Sequence, residues 1–463
     1  MPKNYKALGG WQNGGWPPCG IRCREFLKHS SPALRTLRFQ AAKENAKNAK
    51  VRKGRQEQES SEHPNASYFI HFPFSIFHFP LTCTVQHFDI AIIGAGPAGA
   101  TCALALRDAG LRVALIDKAT FPRDKVCGDA IPARAMRVLS EINPELAREF
   151  AECPSKTTIR ACSVVAPNGK QFTYHFAIPG YCARRIDFDA FLVNAATSNP
   201  ELQFFPGQAV ENLTREGENW RIQTTAQVLS AKLIIGCDGA NGVTSKQLGA
   251  FELDPNHHCA AVRAYFEGVA DLQPDTMEIH LVKEGLPGYF WIFPINTTEC
   301  NVGFGMLSKH VAERKIALRP ALTDIIAKTP ALAKRFAGAK LQGKVQGFGL
   351  PLGSRWVSMS GEGFLLCGDA ASLIDPATGE GIGNAMWSAQ MAAKHAIKAF
   401  QAQNFSAVAL SEYSTELHSK LAKELRQKYW AQKLIAERPW LLNWLIGRAG
   451  KNGIIAWLIK KVF

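Results

Sequence analysis

The sequence predicts an α/β fold: a Rossmann-like domain carrying an inserted antiparallel β-sheet and followed by a C-terminal helical region. Three observations predict it. Residues 88–117 read as strand, glycine loop, helix and strand, from Phe88-Asp-Ile-Ala-Ile-Ile through Gly94-Ala-Gly96-Pro97-Ala98-Gly99 to Val113-Ala-Leu-Ile-Asp117. Residues 363–385 again deliver a short apolar run into a glycine-rich loop and a helical pattern. Between these two segments, residues 257–350 turn to β-type alternation rich in aromatics, and from about 385 onward the chain reads as helical.

The first unit has the spacing of a dinucleotide-binding βαβ motif, with one acid eighteen residues beyond the last glycine. Gly94 permits the tight turn, Gly96 leaves room for a pyrophosphate, and Gly99 lets the helix pack closely on the strand. The helix N-terminus then faces the phosphates. Asp117, ending the second strand, is placed to accept hydrogen bonds from the adenosine ribose. A tight turn with no ligand is the alternative, but strand, helix, second strand and acid are all in place.

At 463 residues, with 46% hydrophobic and 20% charged, the composition is that of a globular chain long enough for two or three domains' worth of core. The formal charge is +15, of which residues 1–86 supply +8. The body is therefore only moderately basic; a nucleic-acid partner is not required, and an anionic substrate or membrane surface fits as well. Twelve cysteines are scattered without a C-x-x-C pair. That usage predicts reduced cysteine in a cytoplasmic protein, with no disulfide framework and no metal site.

Residues 1–85 are expected to be disordered or a non-native extension. Residues 67–81 are apolar but broken by Pro73 and Pro80, which makes a poor transmembrane helix. Three readings of the extension compete: a targeting peptide, a basic arm that touches anionic membrane, or a segment outside the natural protein, with translation beginning at Val85. The last is preferred, because the fold signal starts abruptly at Gln86 and no Met lies between Met1 and Met136.

After Asp117 and Lys118 comes Phe121-Pro-Arg123-Asp-Lys-Val-Cys127-Gly128-Asp-Ala. By itself this is a Pro/Gly-bounded loop of alternating charge. Together with the βαβ unit it resembles the geranylgeranyl reductase family, within the flavoproteins that include aromatic hydroxylases and flavin-dependent halogenases. The resemblance covers about residues 86–400. It implies FAD as cofactor, a three-layer ββα FAD-binding domain, and a loop running along the flavin, with Arg123 facing the cofactor and Cys127-Gly128 beside the isoalloxazine ring. Pro97, Ala98 and Lys118 fall on the cofactor side by the same resemblance.

Further segments carry it on. Residues 158–166 and 171–176 alternate around Pro167-Asn-Gly169, a hairpin signal. Arg184-Arg185-Ile-Asp-Phe-Asp189 opens a helix and resembles the family's R-x-x-F-D element, which assigns Arg185 to the cofactor. Ala231-Lys-Leu-Ile-Ile-Gly-Cys-Asp238-Gly239 resembles the Asp-Gly element, although Gly242 stands near the customary serine. In Gly288-Tyr289-Phe-Trp291-Ile-Phe293-Pro294 the three aromatics share one strand face. Core packing explains such a stripe, but the family's Y-x-W-x-F-P motif implies a substrate-cavity wall. The last segment supplies Gly368-Asp369, then Pro376, Gly379, Gly381 and Ile382. Here the family places Asp369 on the ribityl chain, with the amides around Gly381 and Ile382 facing the flavin at a helix N-terminus.

The expected domains are 86–256 and 351–400 for FAD, 257–350 for substrate and 401–463 for C-terminal helices. Tryptophans 430, 440, 444 and 457, among apolar residues flanked by Lys and Arg, suit a peripheral membrane interface; a helical cap on the sheet is the alternative. The family implies saturation of carbon–carbon double bonds in a prenyl chain on a lipid, quinone or diphosphate. Hydride would come from reduced flavin, electrons from NAD(P)H or ferredoxin, and the proton from Cys127, with water as its rival. Rival readings are a monooxygenase or halogenase, whose W-x-W-x-I-P pattern Tyr289 and Phe293 break; a quinone-linked dehydrogenase; and a non-catalytic prenyl carrier.

Overall fold

The computed structural model describes residues 85–249, 252–436 and 438–462. The expectations for residues 1–84 lie outside the described residues. The described residues open with β1 (Gln86–Ile93), α1 (Pro97–Ala105) and β2 (Val113–Asp117), followed by β3 (Ala130–Ile131), α2 (Ala133–Ile142) and α3 (Pro144–Glu152). A hairpin, β4 (Lys156–Val165) and β5 (Gln171–Ala183), leads to α4 (Arg185–Thr197), β6 (Leu202–Pro206), β7 (Val210–Glu216), β8 (Asn219–Thr224), β9 (Val228–Gly236) and α5 (Val243–Gln247). Next come β10 (His258–Glu267), β11 (Thr276–His280), β12 (Gly288–Pro294), β13 (Glu299–Leu307), α6 (Ser308–Glu313), α7 (Leu318–Lys328), α8 (Pro330–Phe336) and β14 (Lys340–Pro351). The chain closes with β15 (Ser360–Gly361), β16 (Phe364–Leu366), α9 (Ile382–Ala402), α10 (Ala407–Ala436), α11 (Pro439–Ala449) and α12 (Gly453–Val462).

One eight-stranded sheet runs β15-β16-β9-β1-β2-β6, with the β7–β8 hairpin joined to it through β9. Its central pairs β9–β1, β1–β2 and β2–β6 are parallel. Parallel strands covered on both faces read as unbroken apolar runs, and Ile90–Ile93 and Val113–Asp117 are buried throughout. Because β1 and β9 end together, their C-terminal turns deliver Gly94 and Cys237–Asp238 side by side.

The second sheet runs β14-β10-β13-β12-β11-β4-β5-β3. The hairpin read around Gly169 forms, with Val165 opposite Gln171. Compared with the expected 257–350 substrate segment, the sheet is broader: it also takes in β3, β4 and β5, and β11 joins β4 in a parallel pair. Alternation along β12 divides two cores. Phe290 and Ile292 pack with Leu322, Leu332 and Phe336 beneath α7 and α8. Trp291 and Phe293 face the other way, into a cluster that also holds Leu442, Ile446, Ile455 and Ile459 of the two C-terminal helices.

Candidate functional site

The glycine loop after β1 is locked on two sides and open on the third. Gly94 sits at φ +99°, and a Cβ there would lie 2.4 Å from the Cys237 carbonyl oxygen. A Cβ on Gly99 would lie 1.7 Å from the Gly94 carbonyl oxygen, so α1 reaches the strand only because that position is bare. At Gly96 the sole neighbour of an added Cβ would be an Arg123 guanidinium nitrogen, 3.5 Å away. Its backbone faces a cavity of about 750 Å³. Asp117 holds the loop from below: its carboxylate accepts from the Ala95 amide at 2.7 Å and the Ala119 amide at 2.8 Å.

Two arginines meet one acid beneath the cavity. Asp189, fully buried one turn into α4, accepts two hydrogen bonds from Arg185 at 2.6 and 2.7 Å and one from Arg123 at 2.8 Å. Burial pulls the Arg185 guanidinium down, but the Asp189 charge outweighs it and holds the group well above its ordinary value. Both arginines line the cavity, and the Cys127 thiol lies against Arg185.

The opposite wall is aromatic. Tyr289, Trp291 and Phe293 stand in a row with centroids 5.8 and 6.1 Å apart. Gly128 abuts them, since a Cβ there would lie 3.3 Å from the Phe293 ring and 3.6 Å from the indole nitrogen of Trp291. A polar brace stands behind this junction. Asn301 accepts from Trp291 Nε1 at 2.9 Å and donates to the Cys127 carbonyl and to Asp129 Oδ2, both at 2.8 Å. Tyr265 donates to the same Asp129 oxygen at 2.7 Å, while Oδ1 is buried with no partner among the described residues. Burial pushes the Asp129 carboxyl up to about 6, although the Tyr265 and Asn301 hydrogen bonds pull it back.

The third wall is the loop before α9. Asp369 pairs with Lys125 at 3.3 Å, and the Tyr289 hydroxyl donates to the Thr378 carbonyl, tying the aromatic strand to the glycine loop. Gly379, Gly381 and Ile382 line the cavity at the N-terminus of α9, with Pro376 beside them. Glu380, between the two glycines, accepts from the Gly383 amide at 2.5 Å; burial pushes its carboxyl up to about 7. Asp238 binds the Thr244 amide at 3.0 Å and its hydroxyl. That contact accounts for Gly242, where a Cβ would fall 2.1 Å from the Asp238 carboxylate.

The profile of the FAD-binding domain family matches residues 87–427. A digeranylgeranylglycerophospholipid reductase of Methanococcus vannielii is 30% identical over 75% of this chain and 88% of its own. The chain is a geranylgeranyl reductase-like member of the FAD-binding domain family. A second such reductase, from Methanopyrus kandleri, is 29% identical over 76% of this chain and 90% of its own. A menaquinone reductase of Mycobacterium tuberculosis is 29% identical over 66% of this chain and 76% of its own. Among solved structures, a geranylgeranyl bacteriochlorophyll reductase-like protein of Thermoplasma acidophilum superposes with a TM-score of 0.69 at 21% identity, covering 82% of this chain and all of its own. The flavin-dependent brominase Bmp2 follows at 0.66 and 21%, over 81% of this chain and 93% of its own, and shares the fold.

This flavoprotein, an FAD-dependent oxidoreductase, has a cavity that fits its cofactor. The bare backbone of Gly96, the α9 N-terminus and the Arg123 guanidinium open onto one continuous volume with room for an elongated ligand. Nearly every residue read from the sequence lines it: Gly94, Gly96, Pro97, Ala98, Asp117, Lys118, Arg123, Cys127, Gly128, Arg185, Asp238, Gly239, Asp369 and the aromatic trio. Gly99 and Gly368 do not. Gly368 stands behind the wall, where an added Cβ would lie 2.9 Å from the Ala385 side chain, so both glycines act through packing. Asp189, Asp129, Asn301 and Lys125 lie within the motifs read from the sequence, which assigns them no place in the site. Asp189 had a signal, its i,i+4 spacing from Arg185; the others meet partners more than a hundred residues away.

Proposed function

We propose that this flavoprotein saturates carbon–carbon double bonds of a prenyl chain carried by a lipid, quinone or diphosphate, in the cytoplasm against a membrane surface. One observation carries the reading: the aromatic row Tyr289, Trp291 and Phe293 and the three glycine-loop segments line a single cavity, with Cys127-Gly128 at their junction. FAD, when bound and reduced, supplies the hydride for one alkene carbon. The chain's own residues do the rest. Gly94, Gly96 and the α1 N-terminus would take the pyrophosphate, with Arg123 beside them; Asp117 and Lys118 would face the adenosine end; Asp369, Gly381 and Ile382 would hold the flavin side.

An isolated alkene is a poor hydride acceptor, so alignment matters most. The aromatic row restrains an apolar chain along one side of the cavity and excludes water, and Asn301 fixes the central indole. Cys127 Sγ, on the cavity wall, is the proposed proton source for the second carbon. NAD(P)H or ferredoxin would return the electrons.

The test is anaerobic incubation of the reduced protein with geranylgeranyl diphosphate, an archaeal-type prenyl-lipid extract and menaquinone, followed by mass spectrometry. Stepwise gain of two hydrogens identifies the acceptor. Normal flavin reduction and reoxidation with no lipid gaining mass would sink the proposal. Cys127→Ser with retained FAD and full turnover would transfer the proton role to water.

A further inference from the structure

The C-terminal helices have two faces, and they are used for different things. On α11, Leu442 and Ile446 are 3% exposed, whereas Trp440 and Trp444, four residues apart on the opposite face, are 67% and 51% exposed. On α12, Ile455 and Ile459 are buried, whereas Ile454, Trp457 and Leu458 are 73%, 53% and 45% exposed at i, i+3, i+4 spacing. The inward face completes the apolar cluster of Trp291 and Phe293, and Lys428 and Gln432 of the preceding helix line the cavity itself. The cap is thus a wall of the substrate side and an exposed apolar surface at once.

Five large hydrophobics on the outward faces of two consecutive helices need an occupant. The charge around them selects it. Residues 431–463 hold six Lys/Arg against one Glu, and Lys451, Lys460 and Lys461 are exposed beside the apolar row. Lys461 lies 4.3 Å from the Trp457 ring centroid, and Lys433 5.4 Å from that of Trp430. Against a second copy of the chain, a two-fold contact would set these cations face to face. Against an anionic bilayer they are complementary, and tryptophan is the side chain that settles at headgroup depth. Among the described residues no helix is long and apolar enough to cross a membrane, so contact would be in the plane of the surface.

We propose that the outward face of α11 and α12 docks this protein on an anionic lipid surface, so that a prenyl chain passes from the bilayer beneath the cap to the aromatic wall. Only the delivery step rests on the prenyl-substrate reading; the docking does not.

The test is flotation of the full, FAD-loaded chain with vesicles of phosphatidylcholine alone or mixed with phosphatidylglycerol. The protein floats with the anionic vesicles, and binding weakens as salt rises. The triple substitution Trp440→Ser, Trp444→Ser, Trp457→Ser lowers vesicle affinity by about tenfold or more, with unchanged flavin absorbance and unchanged circular dichroism. Lys460→Glu with Lys461→Glu removes the preference for anionic lipid. The proposal is overturned if the triple variant floats like the parent, if the parent floats with neither vesicle, or if sedimentation shows a dimer that the triple substitution dissociates. The two readings fail separately. Vesicle binding without any prenyl lipid gaining hydrogen leaves docking intact and removes the reductase reading; reduction of detergent-dispersed lipid without flotation does the reverse.

Discussion

Asp189 must satisfy two arginines from a position with no exposed surface. A buried charge cluster of this kind contributes little as a whole, yet breaking it by removing one partner is costly because it strands the others. Asp189→Asn leaves the buried Arg185 uncompensated; the expected loss is about 3 kcal/mol of stability, measured by chemical denaturation, together with weakened FAD retention. An unchanged denaturation midpoint with full flavin content would show that the Arg123–Asp189–Arg185 cluster holds neither fold nor cofactor. Asp129 answers to pH. Its carboxyl is raised from an ordinary 3.8 to about 6, so the folded state holds its proton more tightly than the unfolded chain does. The stability this contributes is complete below about pH 4 and is lost as pH rises through 6. Asp129→Asn, which keeps an acceptor for Tyr265 and Asn301, removes that loss: between pH 4 and 7 its melting temperature should fall less than the parent's. Parallel melting curves for the two proteins would refute the assignment.

At the scale of the element, the parts legible in the sequence are those whose geometry is set locally. Gly94 and Gly99 announce themselves because a loop of that length between strand and helix leaves no room for a Cβ. Alternation along β12 likewise places Tyr289, Trp291 and Phe293 together whatever the strand pairs with. What the sequence conceals is partnership at a distance. Nothing local in β4 says that β11 will lie parallel beside it, and nothing around Asp129 says that Tyr265 and Asn301 will reach it. The C-terminal helices are ambiguous in the sequence because their period fits both a cap and an interface; the structure shows the cap, with one face of each helix packed on the sheet and the other exposed. The proposed separation of cofactor and substrate walls gives a further prediction. Gly99→Ala forces α1 off the Gly94 carbonyl and should abolish FAD binding, read as loss of flavin absorbance in the purified protein. Trp291→Ala lies on the other wall and should keep the flavin while lowering prenyl turnover at least about tenfold, the cost of a misplaced substrate. If Trp291→Ala loses flavin as Gly99→Ala does, β12 is part of the cofactor site and the division of the cavity is wrong.

Over the whole molecule, the two sheets meet around the cavity through polar ties. Arg263 of β10 grips Asp124 at 2.7 and 2.9 Å, Lys125 reaches Asp369, Tyr289 reaches the loop before α9, and Asn301 holds the Cys127 carbonyl. Most of these ties start from the loop between β2 and β3, which lies along the cavity rather than in either core. The Lys125–Asp369 pair is partly open to solvent and weak on its own, whereas Arg263 and Asn301 make their ties from buried positions. A ligand that fills the space between them couples both sheets at once, and its binding energy becomes folding energy of the assembled form. Free FAD at a hundred times its dissociation constant should therefore add about 2.7 kcal/mol to the stability of the flavin-free protein. Calorimetry of flavin-stripped protein across a range of FAD concentrations measures this as a melting temperature that climbs with the logarithm of free ligand. Limited proteolysis should report the same coupling locally, with cleavage between Phe121 and Asp129 suppressed as FAD is added. A melting temperature indifferent to FAD would mean that the flavin-free native chain does not bind it, whereas a rising melting temperature with that loop equally protected in both forms would mean that the polar ties alone set the geometry of the cavity.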